Sequence, residues 1–173
     1  MSIDEKLLKR TETLISEIDT QSDRGAAIVG VAWVEEELEA AIASFLEDDA
    51  KALKRLLGRS GPLATFSAKI DLALLLGMCS KVIAGDLHRL REIRNDFAHT
   101  IAAKDHSALT FNSENIADKC FALKCVAHEN PETSRHAFSR ACAVLNADFY
   151  MHGFFEHKVS TVGRIYAKFE HGN

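Results

Sequence analysis

Apolar residues return every three or four positions along most of the chain, with charged residues between them. That spacing predicts amphipathic helices rather than strands. Ile3, Leu7, Leu8, Leu14, Ile15 and Ile18 mark a first helix. A polar break at Asp19–Ser22 follows, and Ser22 or Asp23 caps a second helix reaching about Leu46. The first half of this helix, from Ala26 to Trp33, is apolar almost all round, which places it centrally in the core. Its second half carries Glu35, Glu36, Glu37 and Glu39 on a wet side and Leu38, Ile42, Phe45 and Leu46 on a dry one.

Asp48 or Asp49 caps a short helix through Leu57, and Gly58–Pro62 reads as a loop. Thr65 caps a helix from Phe66 to Leu76, with Gly77 as its C-terminal stop. Leu87, Leu90, Ile93, Phe97 and Ala98 define a further helix ending near His99. Residues 100–112 read as a loop with extended character at Ala108–Phe111, and a helix runs from Ser113 to about Val126. After the Asn130-Pro131 break, apolar positions keep helical spacing from about 132 to 170. Gly153 weakens that last helix or marks a bend, and its outer half is a candidate dimer contact. The expected fold is all-α: one domain over residues 1–173, a bundle of about six to seven helices with a long C-terminal helix.

Composition fits this picture. With 173 residues, 47% hydrophobic and 27% charged, the chain can bury a core without staples. Only 2 prolines and 9 glycines interrupt it. Lys+Arg 21 against Asp+Glu 25 gives a net charge of -4, so binding to DNA or RNA would need a local basic patch. Lys51, Lys54, Arg55 and Arg59 form the best such phosphate patch, although they also balance the acidic stretch before them. No apolar run approaches the ~20 residues of a membrane span, and the charged N-terminus is unlike a signal peptide. A cytoplasmic location is expected. Cys79, Cys120, Cys125 and Cys142 contain no CxxC pair and read as buried reduced thiols. The scattered histidines, His152 and His157 among them, match no metal spacing, and no phosphate loop, dinucleotide fingerprint or nucleophile elbow is present. Neither a metal nor a cofactor is expected.

The string Arg91-Glu-Ile-Arg94-Asn95-Asp96-Phe97-Ala98-His99 carries the most chemistry. Asn95 and His99 share a helix face, whereas Arg94 and His99 lie about 140° apart around the axis. The latter two converge on one ligand only where the helix ends or distorts, or where a second copy completes the site. An arginine fork, an amide and an imidazole suit a phosphodiester: the arginine holds the phosphate and the histidine moves the proton. The same groups serve equally as architecture. Arg94 can pair with Asp96 or Asp23, and His99 can satisfy a helix end.

Read together, Asp23-Arg24-Gly25, Gly61-Pro62-Leu63, Thr65-Phe66-Ser67, Lys69-Ile70 and Arg94-Asn95 with Phe97-Ala98-His99 resemble the mannitol operon repressor family over about residues 20–126. The resemblance implies a helical, non-enzymatic transcriptional repressor that acts as a homodimer or through a regulatory protein partner. Asp23, Arg24 and Asp96 would join the motif in a polar cluster that fixes the bundle or receives a ligand. The string around Arg94 and His99 is also similar to the Arg-x4-His motif of the HEPN superfamily, dimeric helical bundles that include metal-independent ribonucleases. Carried over by position, Arg94 and His99 would be a catalytic pair with Asn95 as polar neighbour. An endoribonuclease or toxin–antitoxin component is therefore the alternative reading. A pure interaction module is the third.

Overall fold

A computed structural model of the chain describes residues 2–46, 49–99 and 108–152. Among them are seven α-helices and one 3₁₀ turn, and no strand. The helices are α1 (Ile3–Asp19), α2 (Asp23–Phe45), α3 (Ala50–Leu57), α4 (Phe66–Leu75), α5 (Lys81–His99), α6 (Glu114–Phe121) and α7 (Ser134–His152), with the 3₁₀ turn at Lys124–Glu129 between the last two. This is the expected all-α bundle.

Local chemistry sets most of the boundaries. The side chain of Ser22 accepts from the Gly25 N–H at the start of α2, Asp49 accepts from Lys51 and Ala52, and Thr65 accepts from Ala68. Each satisfies a donor that the first helical turn leaves open. After α4, Gly77 takes φ 73°, a region that disfavours side chains. Its N–H donates to Leu74 at 3.1 Å while Met78 donates to Ala73 at 2.9 Å, the paired closure of a Schellman turn. Helix α5 begins ahead of its first strong apolar marker, because the Ser80 hydroxyl accepts from Ile83 and opens the helix there.

Helix α2 packs most extensively against α7 and also touches α1, α4 and α5. Its inward row is Ala27, Val31, Val34, Leu38 and Ala41, all fully buried. Gly30 sits where α1 and α7 come closest to it: a Cβ there would meet Ile18, Phe138 and Cys142 at 3.0–3.1 Å. Leu87, Leu90, Ile93 and Phe97 of α5 face the same core, as do Phe138, Cys142, Leu145 and Phe149 of α7. Each such large side chain contributes about 1.5–3 kcal/mol on burial. Phe111 links the two helices, its ring 5.1 Å from both Phe97 and Phe138.

Two expectations are corrected. The helix predicted to reach about Val126 stops at Phe121. The fully buried Asp86 carboxylate accepts the Cys125 N–H at 2.7 Å, and that donor is the one a continuing helix would direct at Phe121. The chain tightens into the 3₁₀ turn instead and leaves it through Asn130 at φ 47°. The extended stretch predicted at Ala108–Phe111 is irregular and forms no strand. The Phe111 N–H goes to Asp23 and its carbonyl accepts from Ser134, so neither is free for a ladder. The last helix is described to His152, so its predicted extension to about 170, with Gly153, Phe154 and His157, lies outside the described residues.

Candidate functional site

Helix α5 runs unbroken to His99, so Arg94 and His99 remain on flanks about 140° apart. Within one chain the helix neither ends before the histidine nor distorts to bring the pair together. His99 is exposed, and Arg94 and Asn95 are half-buried. The helix end that His99 was expected to satisfy is served by another residue: Arg24 donates to the Ala98 carbonyl at 3.0 Å. A guanidinium is favoured there, because the helix C-terminus carries partial negative charge.

The rest of the expected polar cluster is spent on bracing. The Asp23 carboxylate accepts the Phe111 N–H at 2.9 Å and pairs with Arg135. Arg135 also donates to the carbonyls of Ile18 at 3.0 Å and Gln21 at 2.8 Å, and lies 5.7 Å over the Phe111 ring. One carboxylate and one guanidinium therefore tie together the ends of α1, α2 and α7 and the segment before α6. Asp96 pairs with Lys119 of α6 at 2.5 Å. Neither Asp23 nor Asp96 contacts Arg94, although both were candidate partners for it.

Sequence spacing missed several buried polar groups. Lys69, only 5% exposed, bridges Glu35 at 3.0 Å and Glu39 at 2.6 Å. Burial alone would lower its pKa, but the bonds to Glu39 and Glu35 outweigh that and raise it. Arg10 pairs with Glu37, bonds Asn146 at 3.2 Å, and sits about 5 Å over the rings of Trp33 and Tyr150. Burial pushes the Glu37 carboxyl above its ordinary value even though Arg10 opposes this. Glu37 corrects the expectation that it faces the wet side of α2: it is buried, because Arg10 and Asn146 form a polar pocket for it between α1, α2 and α7. The signal available was a charged residue at the spacing of the apolar row of Val34, Leu38 and Ala41.

Arg91 and Arg94 differ from all of these. The Nε of each is inaccessible to solvent and has no hydrogen-bond partner. Neither arginine has a carboxylate within ion-pair distance among the described residues.

Lys51, Lys54, Arg55 and Arg59 are exposed on α3 and the loop after it. Helix α3 buries no residue fully, so the patch stands on the outside of the bundle. Burial pushes Cys120 and Cys125 up to about 12 and Cys142 well above the usual thiol value, which keeps them protonated. No group of three or more His, Cys, Asp or Glu among the described residues is placed to hold a metal ion. No helix among the described residues is long and apolar enough to cross a membrane.

An all-helical bundle whose conspicuous polar residues mostly tie one helix to another, with cations left on its surface, has the form of a helical scaffold. Residues 17–149 match the family described as mannitol repressor, and the chain belongs to that family. The structure also matches the chain in the X-ray structure of the MtlR-HPr complex from Escherichia coli. That match has a TM-score of 0.66 at 17% identity and covers 81% of this chain and 98% of the other. At that identity the likeness establishes the fold. No curated protein matches the sequence.

Proposed function

We propose that this chain represses transcription by engaging a regulatory protein partner, and that the partner is of the HPr type. The reading is carried by the match to nearly the whole of a mannitol repressor solved in complex with HPr, taken with membership of the same family. The protein works in the cytoplasm as a homodimer formed from one domain per chain. Its polar motif is chiefly architectural: Arg24 closes α5, Asp23 clasps Arg135 and Asp96 holds α6. Base-edge readout by a helix in the major groove needs a presented recognition helix and favourable charge. A net charge of -4 works against direct readout by this chain.

The test mixes the purified full chain with HPr from the same host. Light scattering after size exclusion should give the mass of two chains alone and a larger complex with HPr, and calorimetry should give saturable heat. No co-elution and no heat at several hundred micromolar, about the reach of a weak regulatory contact, would refute partner engagement. A specific shift of promoter DNA by the chain alone, lost in a Lys51→Gln/Lys54→Gln/Arg55→Gln variant, would move the function to direct DNA binding.

A further inference from the structure

We infer that Arg91, Arg94 and Arg24 form a binding site for a phosphate group on one flank of α5. Three residues separate Arg91 from Arg94, which places them about 60° apart around the helix and about 4.5 Å along it. Ala98 falls inside the same arc, and its carbonyl holds the Arg24 guanidinium at 3.0 Å. The backbone positions of Arg91 and Arg94 and the carbonyl that holds Arg24 therefore lie along about 10 Å of one flank. His99 lies outside this arc and takes no part.

Arginines at such positions ordinarily find a carboxylate. Here no carboxylate among the described residues pairs with either arginine: Glu35 and Glu39 hold Lys69, Asp96 holds Lys119, and Asp23 holds Arg135. The Nε atoms of Arg91 and Arg94 are closed off from water without an acceptor. Desolvating a guanidinium nitrogen without a partner is unfavourable, and two like charges one turn apart add to that. Both residues are half-buried, so neither is wholly withdrawn from the surface. Such a cluster is pre-formed for an anion that the chain itself does not supply. A single carboxylate would leave most of the positive charge uncompensated. A phosphate dianion offers two charges and several oxygens, and so can accept from more than one fork at once. The phosphate can be free or carried as a monoester on a small metabolite.

Thermal unfolding of the full chain is followed against inorganic phosphate, with sodium chloride holding the ionic strength constant. A saturable rise in Tm is expected, because a ligand that binds only the folded chain stabilises it. Arg91→Gln/Arg94→Gln should weaken the apparent affinity by at least about tenfold, and its unliganded Tm should equal or exceed that of the parent because an unpaired charge has gone. Glucose 6-phosphate binding more tightly than phosphate, with glucose inert, identifies a monoester. Equal affinity identifies the free ion. A Tm rise that sodium chloride reproduces, that the double variant retains, or that Lys51→Gln/Lys54→Gln abolishes instead would overturn the site, as would no rise at all. None of these readouts involves HPr, so the site and the partner reading stand or fall separately.

Discussion

Replacing Asp23 with alanine tests whether the polar residues at the start of α2 are braces or ligand groups. The substitution removes the acceptor for the Phe111 N–H, which lies in a residue only 2% exposed. A buried donor left without a partner costs about 1–3 kcal/mol. The pairing with Arg135 goes too. Both side chains retain 28% exposure, so solvent screens that pair and its contribution is about 0.5–1 kcal/mol. Loss of an acid from the first turn of α2 adds about 0.3–1 kcal/mol. These effects share atoms and do not simply add, and a total near 3 kcal/mol is expected. In a chain of this size that lowers Tm by about 6–12 °C.

Urea unfolding of Asp23→Ala, Arg135→Met and the double variant measures the effect and its origin. The midpoint should fall with the slope unchanged, and the two single losses should exceed the double loss by about 1 kcal/mol because they break one clasp. A ligand-binding Asp23 would behave otherwise: its removal would leave the unliganded fold equally or more stable, since groups kept for binding are seldom optimal for folding. A loss below about 1 kcal/mol, or strict additivity with Arg135→Met, would refute the brace.

Gly30→Ala should destabilise the fold by about 1–3 kcal/mol in the same urea assay, because the new methyl meets Ile18, Phe138 and Cys142 at 3.0–3.1 Å in a packed crossing. Arg140 holds the Glu129 carboxyl below its ordinary value of 4.5 through bonds of 2.8 and 2.9 Å. A lowered carboxyl stabilises the fold above its unfolded pKa and loses that contribution as pH falls through its folded one. Arg140→Gln should therefore cost about 0.5–1 kcal/mol at pH 7, and urea titrations should show the difference closing at pH values under 4.5. Incubation with single-stranded RNA should leave it intact for the parent and for His99→Ala alike, whereas cleavage lost in the variant would revive the nuclease alternative. The thiols of Cys120 and Cys142, buried and held protonated, should resist iodoacetamide at pH 8 until urea unfolds the chain.

The features legible in the sequence are those fixed by near neighbours. Ser22, Asp49, Thr65 and Gly77 each act within a few residues, so Thr65 and Gly77 could be read directly and the other two narrowed to Ser22 or Asp23 and to Asp48 or Asp49. The apolar rows of α2, α5 and α7 were legible because helical spacing alone puts them on one side. Distant partners were not. Asp23 meets Arg135 112 positions away, and Asp86 stops α6 by capturing a donor 39 positions on. No local pattern specifies which helix will bring an opposite charge, because that follows from how the bundle packs.

The string from Arg91 to His99 shows the consequence most clearly. Its spacing already placed Arg94 and His99 on different flanks of a continuous helix. What spacing could not show was which charged groups would find a partner. Asp23 and Asp96, both candidates for binding, are consumed in holding helices together, whereas Arg24 is tied to the end of α5 through one N–H and meets no carboxylate among the described residues. Arg91, read beforehand as part of the string and as a possible extension of the basic patch, is left with Arg94 as a half-buried cation whose Nε is closed off from water without an acceptor. A charge that the fold has already neutralised has little free energy left to give a ligand, and one that the fold has desolvated without pairing has more. The flank of α5 that carries Arg91 and Arg94 is therefore the better place to seek a ligand than the motif's own histidine.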